Sequence, residues 1–342
     1  MRAVVIREHG GPEVLSFEER PEPIPATREV RIRVRAVGLN HLDLWVRNGV
    51  PGHEFPLPIV PGCDVAGVVD ALGPGVAGVT VGDEVVVAPG VSCGRCPACR
   101  SGQDPLCRSY GILGESQDGG CQELLVVPDT GVFPKPQGLD WTQAAAVPLA
   151  FLTAWHMLMA RARVQPGERV LVHAAGSGVS SAAIQIAALL GARVITTAGT
   201  DEKCARGLAL GAEEAINYRA SDFAREVRRW SGGGVDVVVD HVGADTFERS
   251  LRCLVKGGRY VTCGATSGFE LKTDFRLVFF KSLSILGSTM GGGHELATVL
   301  ALVGSGRLRP IVDGIYPLGQ IAEAHRHLAD REAFGKVVLT IS

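Results

Sequence analysis

The sequence predicts an α/β protein of two domains, a mostly-β domain and a doubly wound parallel-sheet domain, and three observations carry that prediction. A chain of 342 residues exceeds one ordinary core and suits two. Before about residue 150 the apolar runs are short, β-branched and broken by Gly and Pro. After Pro148 strand-like runs alternate with helical ones, the pattern of a parallel sheet covered on both faces.

In chain order, "EVRIRVRAVGLN", "DVAGVVDALG" and "DEVVVAP" read as strands of the first domain. The stretch "AAAVPLAFLTAWHMLMA" at 144–160 falls just short of a membrane span and carries Pro148 and His156, so a buried helix is expected. Next come "RVLVHAA" with "SSAAIQIAALLG", "RVITTA" with "DEKCARGLALG", and "VDVVVDHVG" with "DTFERSLRCLVKGG", each a strand and its helix. From Gly291 the helical runs "ELATVLALVGSG" and "QIAEAHRHLADR" lead to a last strand, "GKVVLTI", expected to return to the first domain. The boundaries are therefore 1–150 with 290–342 for the first domain and 151–289 for the second.

With 46% hydrophobic and 20% charged residues the composition is that of a soluble globular protein. A formal charge of -2, with no long basic run, gives no pull toward nucleic acid or membrane, which leaves a small molecule as the partner. Nine cysteines behind an N-terminus without an apolar leader point to a reducing, cytoplasmic setting, where thiols stay free or bind metal.

Four of those cysteines, Cys93, Cys96, Cys99 and Cys107, follow C-x2-C-x2-C-x7-C within 93–107, a spacing that suits a tetrahedral zinc. Iron–sulfur ligation competes, because C-x2-C-x2-C also opens some cluster motifs. A zinc with four cysteine ligands has no open position, so one such ion per chain would hold a loop in shape and touch no substrate.

The second signal is "RVLVHAAGSGVSSAAIQIAALLG", a strand, a tight small-residue turn and a helix. That geometry offers helix-start amides to a pyrophosphate through Gly176, Ser177, Gly178, Val179 and Ser180. Its glycines depart from G-x-G-x-x-G, whose three positions hold Ala175, Ser177 and Ser180; the repeating strand–helix units around it supply the missing weight. About twenty residues on, where an NAD-preferring fold usually ends its second strand with a carboxylate, stands Ala198. With Thr200, Lys203 and Tyr218 nearby, NADP(H) is expected over NAD(H). Val242, Gly243, Cys263 and Gly264 end later strands, where an open α/β sheet meets its ligand.

Together the strand-rich first domain, the cysteine lobe, the dinucleotide turn and the returning strand resemble the medium-chain dehydrogenase/reductase superfamily. The resemblance covers essentially the whole chain. It implies a GroES-like catalytic domain with a structural zinc lobe, a Rossmann cofactor domain, a cleft between them as active site, and a homodimer or homotetramer. Zinc alcohol dehydrogenases of this family carry a second, catalytic zinc, and here the sequence departs. The three ligand positions match Asn40 in "GLNHLD", Cys63 in "GCD" and Leu149 ahead of Thr153, and the proton-relay position is Leu42. "PGCDVAGVVDALGPGV" resembles instead the quinone oxidoreductase branch, which works without a catalytic metal.

The resemblance makes Asn40, Asp43, Cys63 and Asp64 the catalytic candidates, with Asp43 expected to pair with Lys336 on the last strand. It places His41, Thr153 and Lys336 near the cofactor. The expected activity is hydride transfer between NADP(H) and a quinone, activated alkene or carbonyl. The alternatives are an alcohol dehydrogenase with a variant zinc on Cys63, Asp64 and His41, and a dinucleotide-binding protein without turnover.

Overall fold

The computed structural model describes all residues, 1–342, and divides into two compact units, Met1–Leu152 with Gly291–Ser342, and Thr153–Met290. In the first unit a seven-stranded sheet runs in the order Val312–Pro317, Lys336–Thr340, Glu29–Leu39, Asp64–Leu72, Glu84–Val87, Val132–Pro134, with Leu124–Pro128 also paired to Glu29–Leu39. Along Glu29–Leu39 the side chains alternate, with Val30, Ile32, Val34 and Ala36 buried. On the outer face Arg31 and Arg33 both reach Asp70 of the neighbouring strand, at 2.7 and 2.5 Å.

Register in this sheet explains what its far end assembles. The last strand pairs antiparallel with the long one, Val337 opposite Leu39, and on the other side Asp64 lies opposite Gly38. Lys336, Asn40 and Asp64 are thereby brought to one level although they lie far apart in sequence. Gly38 has a steric reason to be glycine: a Cβ there would stand 2.3 Å from the Ala145 carbonyl oxygen of the helix packed above.

The second unit is a six-stranded, all-parallel sheet in the order Glu214–Asn217, Arg193–Ala198, Arg169–Val172, Val235–Asp240, Leu254–Thr262, Ser284–Gly287. This is the Rossmann arrangement, with the order reversing beside Arg169–Val172. Leu171, Ile195, Val238 and Tyr260 from the strands pack with Phe223, Val227, Phe247 and Leu251 from the helices in one core.

Three expectations need correction. The stretch 144–160 is largely buried but is not one helix: Trp141–Ala145 and Pro148–Trp155 are separate helices, and His156–Arg161 continues as a π-helical turn. Pro148 has no N–H and disfavours helical backbone before it, which accounts for the break. The run "DTFERSLRCLVKGG" is helical only over Phe247–Cys253; Leu254 begins the next strand, in which buried Leu254 pairs with Val235. Strands Ser284–Gly287 and Val312–Pro317 and the hairpin Arg2–Ile6 with Leu15–Glu19 escaped the sequence pattern. No helix is long and apolar enough to cross a membrane.

Candidate functional site

The cysteine lobe is built from a short helix, Pro97–Arg100, and a 3-10 turn, Asp104–Leu106, with a proline at the first position of the helix and at the second of the turn. It brings the sulfurs of Cys93, Cys96, Cys99 and Cys107 within 4.8 Å of one another. Cys93 to Cys99 is 3.9 Å and Cys96 to Cys99 is 3.5 Å. Tetrahedral zinc with Zn–S bonds near 2.3 Å needs sulfurs about 3.8 Å apart, so the donor set and its spacing fit the ion. Backbone amides of Arg95 and Cys96 point at Cys93 and, with Cys107, pull its thiol down to about 6, which favours the thiolate a metal requires.

No other group of three or more His, Cys, Asp or Glu side chains is placed to hold a metal. The variant zinc site on Cys63, Asp64 and His41 is therefore not assembled. Asp64 is fully buried and already satisfied: Lys336 Nζ donates to Oδ2 at 2.8 Å, Asn40 Nδ2 to Oδ2 at 2.9 Å, and the Leu149 backbone N–H to Oδ1 at 2.7 Å. His41 instead lies edge-on to Trp45, with ring centroids 5.2 Å apart.

Asn40 stands at the start of helix His41–Asn48, yet its amide serves the cluster rather than the helix amides. Its Oδ1 accepts from Lys336 Nζ at 2.5 Å, and its Nδ2 faces Cys63 Sγ at 3.3 Å as well as Asp64. The amide orientation is thus fixed by its partners. Burial, with Asp64 and Asp43 beside it, pushes the Cys63 thiol well above its ordinary range, and Lys336 only partly opposes this. Cys63 is a neutral thiol here, a poor metal ligand and a poor nucleophile.

The expected Asp43–Lys336 pair is replaced by Lys336–Asp64, the acid that strand register places at the lysine's level. Asp43 instead accepts the backbone N–H of Asn40 at 2.7 Å and of Gly62 at 2.9 Å. It holds together the two backbone segments that carry Asn40 and Cys63. Burial raises its carboxyl from 3.8 to about 6, against the Asn40 amide, Lys336 and the Gly62 amide, which favour the charge.

In the second unit Ser177 caps helix Gly178–Leu189 by accepting from the Ser180 N–H at 3.1 Å, leaving the turn Gly176–Ser180 at the carboxyl edge of Arg169–Val172. His241 Nε2 lies 2.7 Å from Ser177 Oγ and 3.0 Å from Ser180 Oγ, and the Ser180 hydroxyl donates to the His173 carbonyl at 2.6 Å. His241 had no functional role by sequence; its place just beyond a strand's carboxyl end was the available signal. Its neighbour Asp240 was also missed. That carboxylate accepts from the Val242 N–H, the Thr246 hydroxyl and the Tyr260 hydroxyl, at 2.6, 2.5 and 2.9 Å. Burial pushes Asp240 up, but His173, these donors and the charge they stabilise hold it below the usual range.

The loops after two strands are laced together, with the Thr266 and Ser267 amides donating to the His241 and Val242 carbonyls. Val242, Gly243, Cys263 and Gly264 therefore share one edge of the sheet. Burial pushes the Cys263 thiol up to about 12. At the end of Arg193–Ala198, Thr200 caps the next helix by accepting from the Lys203 N–H, and a Cβ on Gly199 would stand 2.8 Å from the Tyr218 hydroxyl and 3.5 Å from Arg219 Nε. That helix also starts with Asp201 and Glu202. Thr153 is buried, its hydroxyl 3.7 Å from Met290 Sδ.

Two family models match the chain: an alcohol dehydrogenase GroES-like domain over residues 26–137 and a zinc-binding dehydrogenase over 210–339. The quinone oxidoreductase of Homo sapiens is 32% identical, over 100% of this chain and 98% of its own. A 2-haloacrylate reductase of Burkholderia sp is 34% identical over 98% of each chain. A crystal structure of an NAD-dependent alcohol dehydrogenase superposes with a TM-score of 0.97 at 53% identity, covering 100% of both chains.

Proposed function

This chain belongs to the medium-chain dehydrogenase/reductase superfamily, and from that premise we propose that it moves hydride between NADP(H) and a quinone, an activated alkene or a carbonyl compound. It is an NAD(P)-dependent oxidoreductase. The observation that carries the substrate reading is the Lys336–Asp64 pair. Among the positions that match metal ligands in alcohol dehydrogenases, Asn40 is bound to an ammonium, Cys63 is held as a neutral thiol and Leu149 offers only its backbone N–H. A second positive ion beside Lys336 would meet its charge at short range in a buried setting. A metal-free reaction centre suits a substrate whose oxygen needs a hydrogen-bond donor rather than a Lewis acid, and Lys336, which gives two of its three ammonium hydrogens to Asn40 Oδ1 and Asp64, keeps one for it.

A bound nicotinamide would donate or accept the hydride. Gly176, Ser177, Gly178, Val179 and Ser180 would hold the pyrophosphate on the amides of the capped helix, braced by His241. Val242, Gly243, Cys263 and Gly264 would line the edge where the cofactor lies. Tyr218 and Arg219 packed against Gly199, with Lys203 on the adjoining helix, suit a 2′-phosphate, and Ala198 presents no carboxylate against it. A structural zinc on Cys93, Cys96, Cys99 and Cys107, a homo-oligomeric assembly and a cytoplasmic setting complete the reading.

A second reading, NAD-dependent alcohol oxidation, draws on the 53% identical structure and on Asp201 and Glu202 near the end of the second strand. Steady-state rates decide between them. Faster turnover with NADPH and a quinone or enone than with NADH is expected, alongside one zinc per chain after exhaustive dialysis. Alcohol oxidation with NAD as the most efficient reaction, or two zincs per chain, would overturn the first reading.

A further inference from the structure

Tyr110, just past the cysteine lobe, has a buried hydroxyl without a hydrogen-bond partner. Leaving such a group unpaired is unfavourable, so its setting calls for an explanation. The hydroxyl is tolerated because residue 90 is glycine; a Cβ there would lie 2.3 Å from the Tyr110 oxygen. Tyr110 faces a cavity of ≈ 140 Å³ within the first unit. Val87, Ala88, Val91, Val127 and Leu152 give it apolar walls, and Gly90, Gly131, Gly291 and Gly293 leave it room.

Size and polarity narrow the occupant. An engineered apolar cavity of about 150 Å³ takes up benzene, so this space matches a single six-membered ring. No Lys, Arg or His lines it, and Asp104 does, which disfavours an anion. The Tyr110 phenol stays protonated, because burial and the acids Asp104 and Glu115 push its pKa upward. It is therefore available as a donor.

We propose that this cavity binds one neutral six-membered ring bearing a carbonyl oxygen, with the Tyr110 hydroxyl donating to that oxygen. As the ring-holding part of the substrate site, it rests on the reductase reading; as a binding site, it stands without it.

The test is calorimetric or ligand-observed NMR titration of the zinc-loaded, cofactor-free full chain with cyclohexanone, and with benzene as a ring that lacks oxygen. Wild type is expected to bind both. Tyr110→Phe should weaken cyclohexanone about tenfold, the worth of one hydrogen bond near 1.4 kcal/mol, while leaving benzene affinity and the thermal midpoint unreduced. Should that variant fold poorly, Gly90→Ala, which displaces the hydroxyl, replaces it. Cyclohexanone failing to bind wild type, or binding both variants equally, overturns the proposal and leaves a cavity that holds only water. Because no cofactor is present, absent quinone turnover with intact ring binding would sink the reductase reading alone.

Discussion

A carboxyl group enclosed by protein ionises against its own burial, and Asp43 is such a group, compensated by two backbone amides and by Lys336. Its folded-state pKa of about 6 lies above the ordinary 3.8, so between those values the native state holds a proton that the unfolded chain has released. By linkage, its contribution to stability is fully present at low pH and is lost as pH rises through about 6. At about 1.4 kcal/mol per pKa unit, roughly 2–3 kcal/mol is at stake. Asparagine mimics the neutral form and cannot ionise. Denaturant unfolding of wild type and Asp43→Asn at pH 4.5 and pH 7.5 should therefore show the difference between them moving by about 2 kcal/mol in favour of the variant at the higher pH. A pH-independent difference would mean that Asp43 titrates as an ordinary surface acid. Lys336 and Asp64 obey a harsher rule. Removing either partner leaves a buried unpaired charge, which ties the donor of the proposed reaction centre to the stability of the sheet.

Among the elements, the cysteine lobe is the one whose order depends on something other than its own packing. Its helix Pro97–Arg100 has no buried residue and its 3-10 turn has none either, so little apolar burial holds it. Cys93→Ser removes one of four ligands. We expect a purified variant with well under one zinc per chain and a thermal midpoint lower by more than about 5 °C, with NADPH affinity unchanged. Full zinc content in the variant would show that the four sulfurs are not the site. This lobe was legible because its ligands lie within fifteen residues of chain and their spacing alone encodes the geometry. The glycine turn was legible for the same reason. The Lys336–Asp64 pair was not: the two residues are 272 apart, and only the register of Lys336–Thr340 and Asp64–Leu72 on either side of Glu29–Leu39 joins them. Sequence reasoning found Asn40, Asp43, Cys63, Asp64 and Lys336 one at a time and gave the lysine to the wrong acid. The start of strand Leu254–Thr262 was hidden, although its end before Cys263 was expected, because apolar Leu251, Cys253 and Leu254 continue a helical spacing across the point where the backbone becomes extended.

For the whole molecule, the informative feature is an edge that stays open. Ser284–Gly287 pairs with Leu254–Thr262 on one side and with no strand on the other, and Ile285 is exposed. Native edges are usually blunted by charge, proline or cover, and this one carries none of these within the strand. Beside it in sequence, helix Phe275–Phe280 has no buried residue, and Phe275, Phe279 and Phe280 are 68, 56 and 70% exposed. At roughly 200 Å² per aromatic side chain, those exposed fractions offer about 400 Å², half of the ~800 Å² that each partner of a stable pair contributes. An open edge can supply main-chain hydrogen bonds to a second copy, and a two-fold axis makes the same patch serve both subunits. The purified protein should therefore sediment as a dimer or a larger even oligomer at micromolar concentration. Replacing Phe280 with Asp and Ile285 with Lys together should yield monomers with an intact far-ultraviolet circular dichroism spectrum. Wild type that sediments as a monomer, or a doubly substituted chain that still associates, would place the interface elsewhere; a monomeric variant that loses its fold would show that these side chains support the edge strand itself.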